Sequence, residues 1–342
     1  MKCMTAAAPT QRASKTTGQN ALLALVVIGG AVVMGWLLLF YDGAPAAPAA
    51  AIPSRLELED IPFNGQRAFD YLEQICAIGP RVSGSAGMAQ QQKLLSEHFA
   101  KLGGNVRRQE FRVRDPQTGQ PVSMANLIVE WHPERKERIL LAAHYDTRPF
   151  PDRDKRNPRG TFIGANDGGS GTAILMELAH QMRDLPGELG VDFVLFDGEE
   201  YVFQEGHPYF IGSEWFASEY ASGKPPYHYR WGILLDMVGD ANLQIYPDTH
   251  SMKWPDTRPL VKQVWDTAKR LGVSEFSMQH RWDVLDDHIR LHDIGGISCI
   301  DIIDFHYPYW HTEQDVPANC SPLSLAKVGW VVQEWLKGAV KK

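Results

Sequence analysis

Residues 191–203 read VDFVLFDGEEYVF. The first six positions are nearly all apolar, which predicts a short strand buried on both faces. The run stops on Asp197-Gly198 and then sets Glu199 and Glu200 side by side. Adjacent carboxylates repel each other, and burying either one unpaired is costly. A strand that ends this way needs something to hold its two acids.

The same pattern recurs on either side. Helical periodicity runs over 65–79 and 87–103, and apolar strands are predicted near 106–113, 124–131 and 138–143. A helix follows the glycines at 168–171. Further strands are predicted over 231–237 and 297–303, and further helices over 257–272 and 324–336. Apolar strands interleaved with amphipathic helices require a sheet covered on both faces. The expected fold is α/β, a three-layer α/β/α sandwich with a mixed, mostly parallel central sheet.

In such sheets ligands bind beyond the carboxyl ends of the strands, and the unusual polar residues fall there. His144 and Asp146 follow the strand ILLAA, Glu199 and Glu200 follow VDFVLF, and Asp236 ends WGILL. Alternate residues of an extended segment share a face, so His144 can bind a metal while Asp146 orients a ligand. Asp167 stands in GANDGGSG at a glycine-rich helix start, where an anion is favoured and the backbone can pass close to a site. His311, in YWHTEQD, adds an imidazole. Each residue alone is commonplace as a cap, turn or packed histidine. Together they form an oxygen and imidazole donor set suited to an open, catalytic Zn²⁺ site. A cation would neutralise Glu200 by ligation and leave Glu199 free as the general base.

The chain has 342 residues, 44% hydrophobic and 22% charged, enough for one large α/β domain or two modest ones. A net charge of −7 without a long basic run argues against nucleic acid as a partner. Cys3, Cys76, Cys299 and Cys320 have no zinc-ribbon spacing, which leaves a Cys299–Cys320 disulfide and free buried thiols as alternatives. Residues 21–41 are uncharged and long enough to span a bilayer; Lys2, Arg12 and Lys15 precede them. The expected organisation is a cytoplasmic tail (1–20), a transmembrane signal anchor (21–41), an Ala/Pro linker (42–59) and a zinc-dependent catalytic domain (60–342). The catalytic domain would then be extracytoplasmic, periplasmic or lumenal. A cleaved signal peptide is the competing reading, because 43–51 is rich in small residues.

AAHYDT (142–147), GANDGGSG (164–171), FDGEE (196–200), LLDMVGD (234–240) and WHTEQD (310–315) occur in that order. In this the chain resembles the zinc aminopeptidase and glutaminyl cyclase family of metallopeptidases, over roughly residues 65–338. The resemblance implies that Asp167, Glu200 and His311 bind zinc, and that His144 and Asp236 hold a second zinc in two-metal members, with Asp167 bridging. It makes Glu199 the general acid/base. VLDDHIRLHDIG (284–295) is similar to the cyclase stretch in which an aspartate, here Asp286, assists that glutamate; aminopeptidases tend to have serine there. Arg290 replaces the proline of that stretch, no tryptophan follows the glutamate pair closely, and the cysteine pair of animal cyclases is missing.

The implied function is glutaminyl-peptide cyclotransferase with one Zn²⁺, acting on peptides or proteins with a free N-terminus. The alternatives are an aminopeptidase with two Zn²⁺ and a non-catalytic binding ectodomain, which the intact base and ligands disfavour. Trp310, Phe203, Tyr209 and Phe305 could wall the pocket. Trp310, next to a proposed ligand, is the one preferred as a pocket residue over core packing.

Overall fold

The apolar runs become strands of one sheet. In the computed structural model, which describes residues 53–340, the strands are β1 Asn105–Arg114, β2 Pro121–Trp131, β3 Glu137–His144, β4 Gly190–Phe196, β5 His228–Asp236 and β6 Cys299–Ile303. Their order across the sheet is β1-β2-β4-β3-β5-β6. Strands β4, β3, β5 and β6 run parallel, while β2 is antiparallel to β1 and to β4. The sheet is therefore mixed and mostly parallel.

The helices are α1 Gly65–Cys76, α2 Ala86–Lys101, α3 Gly171–Met182, α4 Ile211–Gly223, α5 Thr249–Lys253, α6 Arg258–Leu271, α7 Asp287–Asp293 and α8 Pro322–Ala339. Successive side chains of a strand point to opposite faces, so each apolar strand feeds two cores. Ile139, Leu141 and Ala143 of β3 enter the larger core with α1, α2, α3, α6 and α8. Leu140 and Ala142 enter the smaller one, against Phe216 of α4 and Leu291 of α7. Burying one such side chain contributes about 1.5–3 kcal/mol. These are the three layers predicted from the sequence.

Local chemistry sets the helix ends. The Asn64 side chain accepts from the Arg67 N–H at 2.9 Å, and that of Ser85 from Met88 at 3.1 Å. α1 stops at Cys76, three residues short of the expected 79, because the chain turns at Gly79 with φ +88°. Cys299 lies in the smaller core and Cys320 in the larger one. The sheet thus separates them, and both are free thiols.

The expected tail, the anchor and most of the linker lie outside the described residues. Among the described residues no helix is long and apolar enough to cross a membrane. The last linker residues already join the domain. Leu56 and Leu58 pack on the larger core, and the Ser54 hydroxyl donates to Glu275 at 3.0 Å.

Candidate functional site

Strand β3 lies between β4, which follows it in the chain, and β5, which follows β4. A crevice opens beyond the carboxyl ends at such a reversal of strand order. His144 is the last residue of β3, Asp236 the last of β5, and Glu199 and Glu200 stand just past β4. The loop before α3 brings Asp167, and the turn after β6 brings His311.

These residues form two groups that share Asp167. One is His144, Asp167 and Asp236; the other is Asp167, Glu200 and His311; within each, the donor atoms lie within 4.8 Å of one another. His144 Nε2 is 3.2 Å from Asp167 Oδ1 and 3.1 Å from Asp236 Oδ1. His311 Nε2 is 2.7 Å from Glu200 Oε1 and 3.6 Å from Asp167 Oδ2. Asp167 Oδ2 and Glu200 Oε2 are buried without any hydrogen-bond donor. Carboxylate oxygens left bare in a buried site, beside imidazole nitrogens, suit a divalent cation. Either group could hold one.

The backbone that presents these donors is tightly specified. Gly168 has φ +83°, and a Cβ there would sit 2.5 Å from the Asp146 carbonyl oxygen. Only glycine meets both demands. Gly168→Ala is expected to destabilise the protein by about 2 kcal/mol or more and to reduce bound metal, which thermal denaturation and metal analysis would check. His311 and Met237, the residue after Asp236, are left-handed at φ +57° and +47°. Phe210, another pocket residue, has φ +61°. Backbone strain is thus concentrated around the pocket, as at many functional sites.

Asp146 explains how two adjacent glutamates are held apart. Its carboxylate accepts the Glu199 N–H at 3.2 Å and the Glu200 N–H at 3.0 Å, and it lies 3.6 Å from His144 Nδ1. The turn is fixed from beneath, so the two side chains diverge. Glu200 meets His311 and the Arg148 guanidinium, at 3.3 Å. Glu199 faces the pocket, with Oε2 3.7 Å from His144 Nδ1.

The environments drive the pair in opposite directions. Burial would raise Glu200, but His311 and Arg148 outweigh it and bring its carboxyl down to about 2. Burial raises Glu199 well above the usual carboxylate range, and the charge of Glu200 adds to this. Burial and Glu200 likewise push Asp167 up to about 7. Burial would lower His311, but Glu200 and Asp152 lift it to about 9. The two glutamates are therefore pushed apart, Glu200 toward the anion and Glu199 toward the protonated form, a separation common at acid/base sites.

The pocket in front of these groups has a volume of about 450 Å³. Trp310, Tyr209 and Phe305 line it, while Phe203 packs instead against Phe150 and Tyr201. Asp286 also lines it, as a buried residue whose Oδ1 accepts the Asp287 N–H at the start of α7. No direct hydrogen bond joins it to Glu199. Burial, with Asp236 and Asp287 nearby, raises Asp286 well above the usual range. Arg290 turns away to the Phe210 ring and Glu214.

Peptidase family M28 matches residues 126–336. The chain belongs to peptidase family M28. Its fold is similar to that of Fimbriiglobus ruber glutaminyl cyclase, at 39% identity and a TM-score of 0.77, covering 88% of this chain and 100% of that one. It is also similar to a leucine aminopeptidase precursor from Bacteroides thetaiotaomicron, at 30% identity and a TM-score of 0.74, covering 80% and 97%. A glutaminyl-peptide cyclotransferase-like protein of Bos taurus is 24% identical over 285 residues, 75% of this chain and 71% of that one. The protein is thus an enzyme of the M28 and glutaminyl cyclase family.

Several residues that support the M28 site were not singled out from the sequence. Arg148 grips Asp152 through two bonds of 2.9 Å, and Asp152 in turn lies 3.1 Å from His311 Nδ1. Asp315 accepts the Asn166 and Asp167 N–H groups at 2.8 and 3.2 Å, fixing the loop that carries Asp167. Fully buried Arg81 donates to the carbonyls of Ile163 and Gly164 at 2.6 and 2.8 Å. Arg81→Met would leave both carbonyls bare and remove a buried cation beside many acids. A loss of about 3 kcal/mol is expected, readable as a lower denaturation midpoint.

Proposed function

We propose that this M28 enzyme is a zinc-dependent glutaminyl-peptide cyclotransferase, which converts an N-terminal glutamine of peptides to pyroglutamate and releases ammonia. The observation that carries the reading is Asp286, a buried acid lining the same pocket as Glu199. In that position the sequence resemblance implies an aspartate for cyclases and a serine for aminopeptidases. The likeness to a solved glutaminyl cyclase over its whole length supports it.

Asp167, Glu200 and His311 would hold the zinc, whose role is to polarise the γ-carboxamide carbonyl as a Lewis acid. Trp310, beside His311 with ring centroids 4.3 Å apart, and Phe305 form an apolar wall for the glutaminyl side chain. The α-amine nitrogen bonds to the γ-carbon, and the bond from that carbon to the amide nitrogen breaks. Glu199 takes the proton that the amine loses and gives it to the departing nitrogen, which leaves as ammonia. Its raised pKa suits it to both halves of that transfer. Because attack is intramolecular, orientation supplies much of the acceleration. Asp286 acts on Glu199 through its charge, which helps raise the Glu199 pKa.

A two-zinc aminopeptidase is the second reading, and the His144, Asp167 and Asp236 group favours it. Matched peptides beginning with Gln and Leu separate the two. Ammonia from the Gln peptide, with no free amino acid from either, is the expected result; free leucine would overturn the proposal. The uncharged run at 21–41 supports an anchor that keeps the catalytic domain outside the cytoplasm. Retention in washed membranes is expected, and release by an alkaline wash would contradict it.

A further inference from the structure

The catalytic pocket adjoins a second cavity of about 700 Å³, and the two share Arg153 and Trp310 as wall. We infer that this second cavity is a subsite for carboxylate groups of the peptide a few residues beyond its N-terminus. The inference rests on the reading that peptide N-termini are the substrates.

Three cations line the cavity, Arg153, Lys155 and Arg156, all on the exposed segment after β3. Among the described residues, none of them has a carboxylate within 4.0 Å. Acids are present, but their oxygens are committed to the local fold. Asp154 accepts the N–H groups of Arg156, Asn157 and Glu313 at 2.8, 3.0 and 3.1 Å. Glu313 Oε1 accepts the Thr161 N–H and the Asn157 amide, both at 3.1 Å. The three cations are exposed and, among the described residues, none is locked in an ion pair, although Arg153 lies over the Trp310 ring.

Polarity changes across Trp310. The rim of the catalytic pocket carries Glu205 and Asp283, both exposed, which suit an incoming ammonium group. The neighbouring cavity offers cations instead. Trp310 joins the two, its indole in contact with His311 and with the Arg153 guanidinium 3.8 Å over the ring. The Arg153 N–H also donates to the His311 carbonyl at 3.1 Å, so the segment that supplies the cations is tied to a proposed metal ligand. An extended peptide advances about 3.3 Å per residue. A chain whose first residue fills the pocket and which leaves past Trp310 would carry its next few side chains toward this basic surface. A cavity lined by Val113, Trp215 and Ile211 touches the pocket too, but through Tyr209 alone, and its single cation, Arg114, shares the wall with Glu214.

Carboxylates can come from acidic side chains or from the C-terminus of a short peptide, and both arms can be measured. Full-chain enzyme would be given Gln peptides that share two leading residues, carry Glu, Ala or Lys at the next two, and end in an amide. A fourth peptide would be the Ala form with a free C-terminus. For the Glu peptide, kcat/KM is expected to exceed that of the Ala peptide by about three- to tenfold and that of the Lys peptide by more. The preference should shrink in roughly 0.5 M salt. Lys155→Glu with Arg156→Glu should reverse it while leaving turnover of a glutaminyl dipeptide amide unchanged. A gain confined to the free C-terminus would assign the subsite to chain ends rather than acidic side chains. Equal rates on all peptides, or a preference untouched by the double variant, would overturn the inference alone. Failure to process any peptide would instead remove the function on which it rests.

Discussion

Glu199→Gln is expected to lower kcat by about a hundred- to ten-thousandfold, the usual contribution of a positioned acid/base, and to leave zinc content unchanged. The substitution keeps shape and size and removes only the ability to take and return a proton. The backbone bond from residue 199 to Asp146 does not involve the side chain and would persist. Nor is Glu199 a member of the Asp167, Glu200 and His311 group. Burial and the neighbouring Glu200 raise its pKa well above normal, in the direction that an acid/base carboxyl requires. Steady-state rates with metal analysis on the same sample give the result. Full turnover would mean that another residue is the base.

Asp167→Asn should have a comparable effect by another route, because Asp167 is the one residue common to both donor groups. Loss of its charge should leave the purified protein with little or no zinc and with activity near background. The fold should largely survive. Burial and Glu200 hold the Asp167 pKa at about 7, above its unfolded value. An acid shifted upward in this way weakens the metal-free fold as pH rises from the unfolded pKa through 7, since the ionised form is the disfavoured one. Asparagine removes that penalty, so the metal-free variant should melt no lower than metal-free wild type near neutral pH. A variant that kept its zinc would contradict the proposed ligand set.

The central strands were legible because each is buried on both faces and so written in nearly continuous apolar residues, as in VDFVLF. His144, Asp236 and the glutamate pair were legible for the reason that polar residues interrupt those runs at their ends. Asp167 was marked by its glycines, and Gly168 indeed has a conformation closed to other residues. Other features left no local trace. Helix α4 was not foreseen: it starts after left-handed Phe210 without a capping side chain, and it buries small residues such as Gly212, Ser213 and Ala217. Arg81 stands more than eighty positions before the carbonyls it holds. Asp315 and Asp152 act on residues that only the folded chain brings near them. Trp310 lines the pocket and Phe203 does not, a difference fixed by the path of the turn after the glutamates rather than by residue type.

The central claim is that this site closes a ring without consuming water, and a labelling experiment tests it most directly. A Gln-initiated peptide would be processed to completion in water enriched in heavy oxygen, and the products weighed. Cyclisation predicts a peptide lighter by one ammonia with no heavy oxygen incorporated. A free amino acid carrying heavy oxygen in its carboxylate would show hydrolysis of the first peptide bond and would contradict the account.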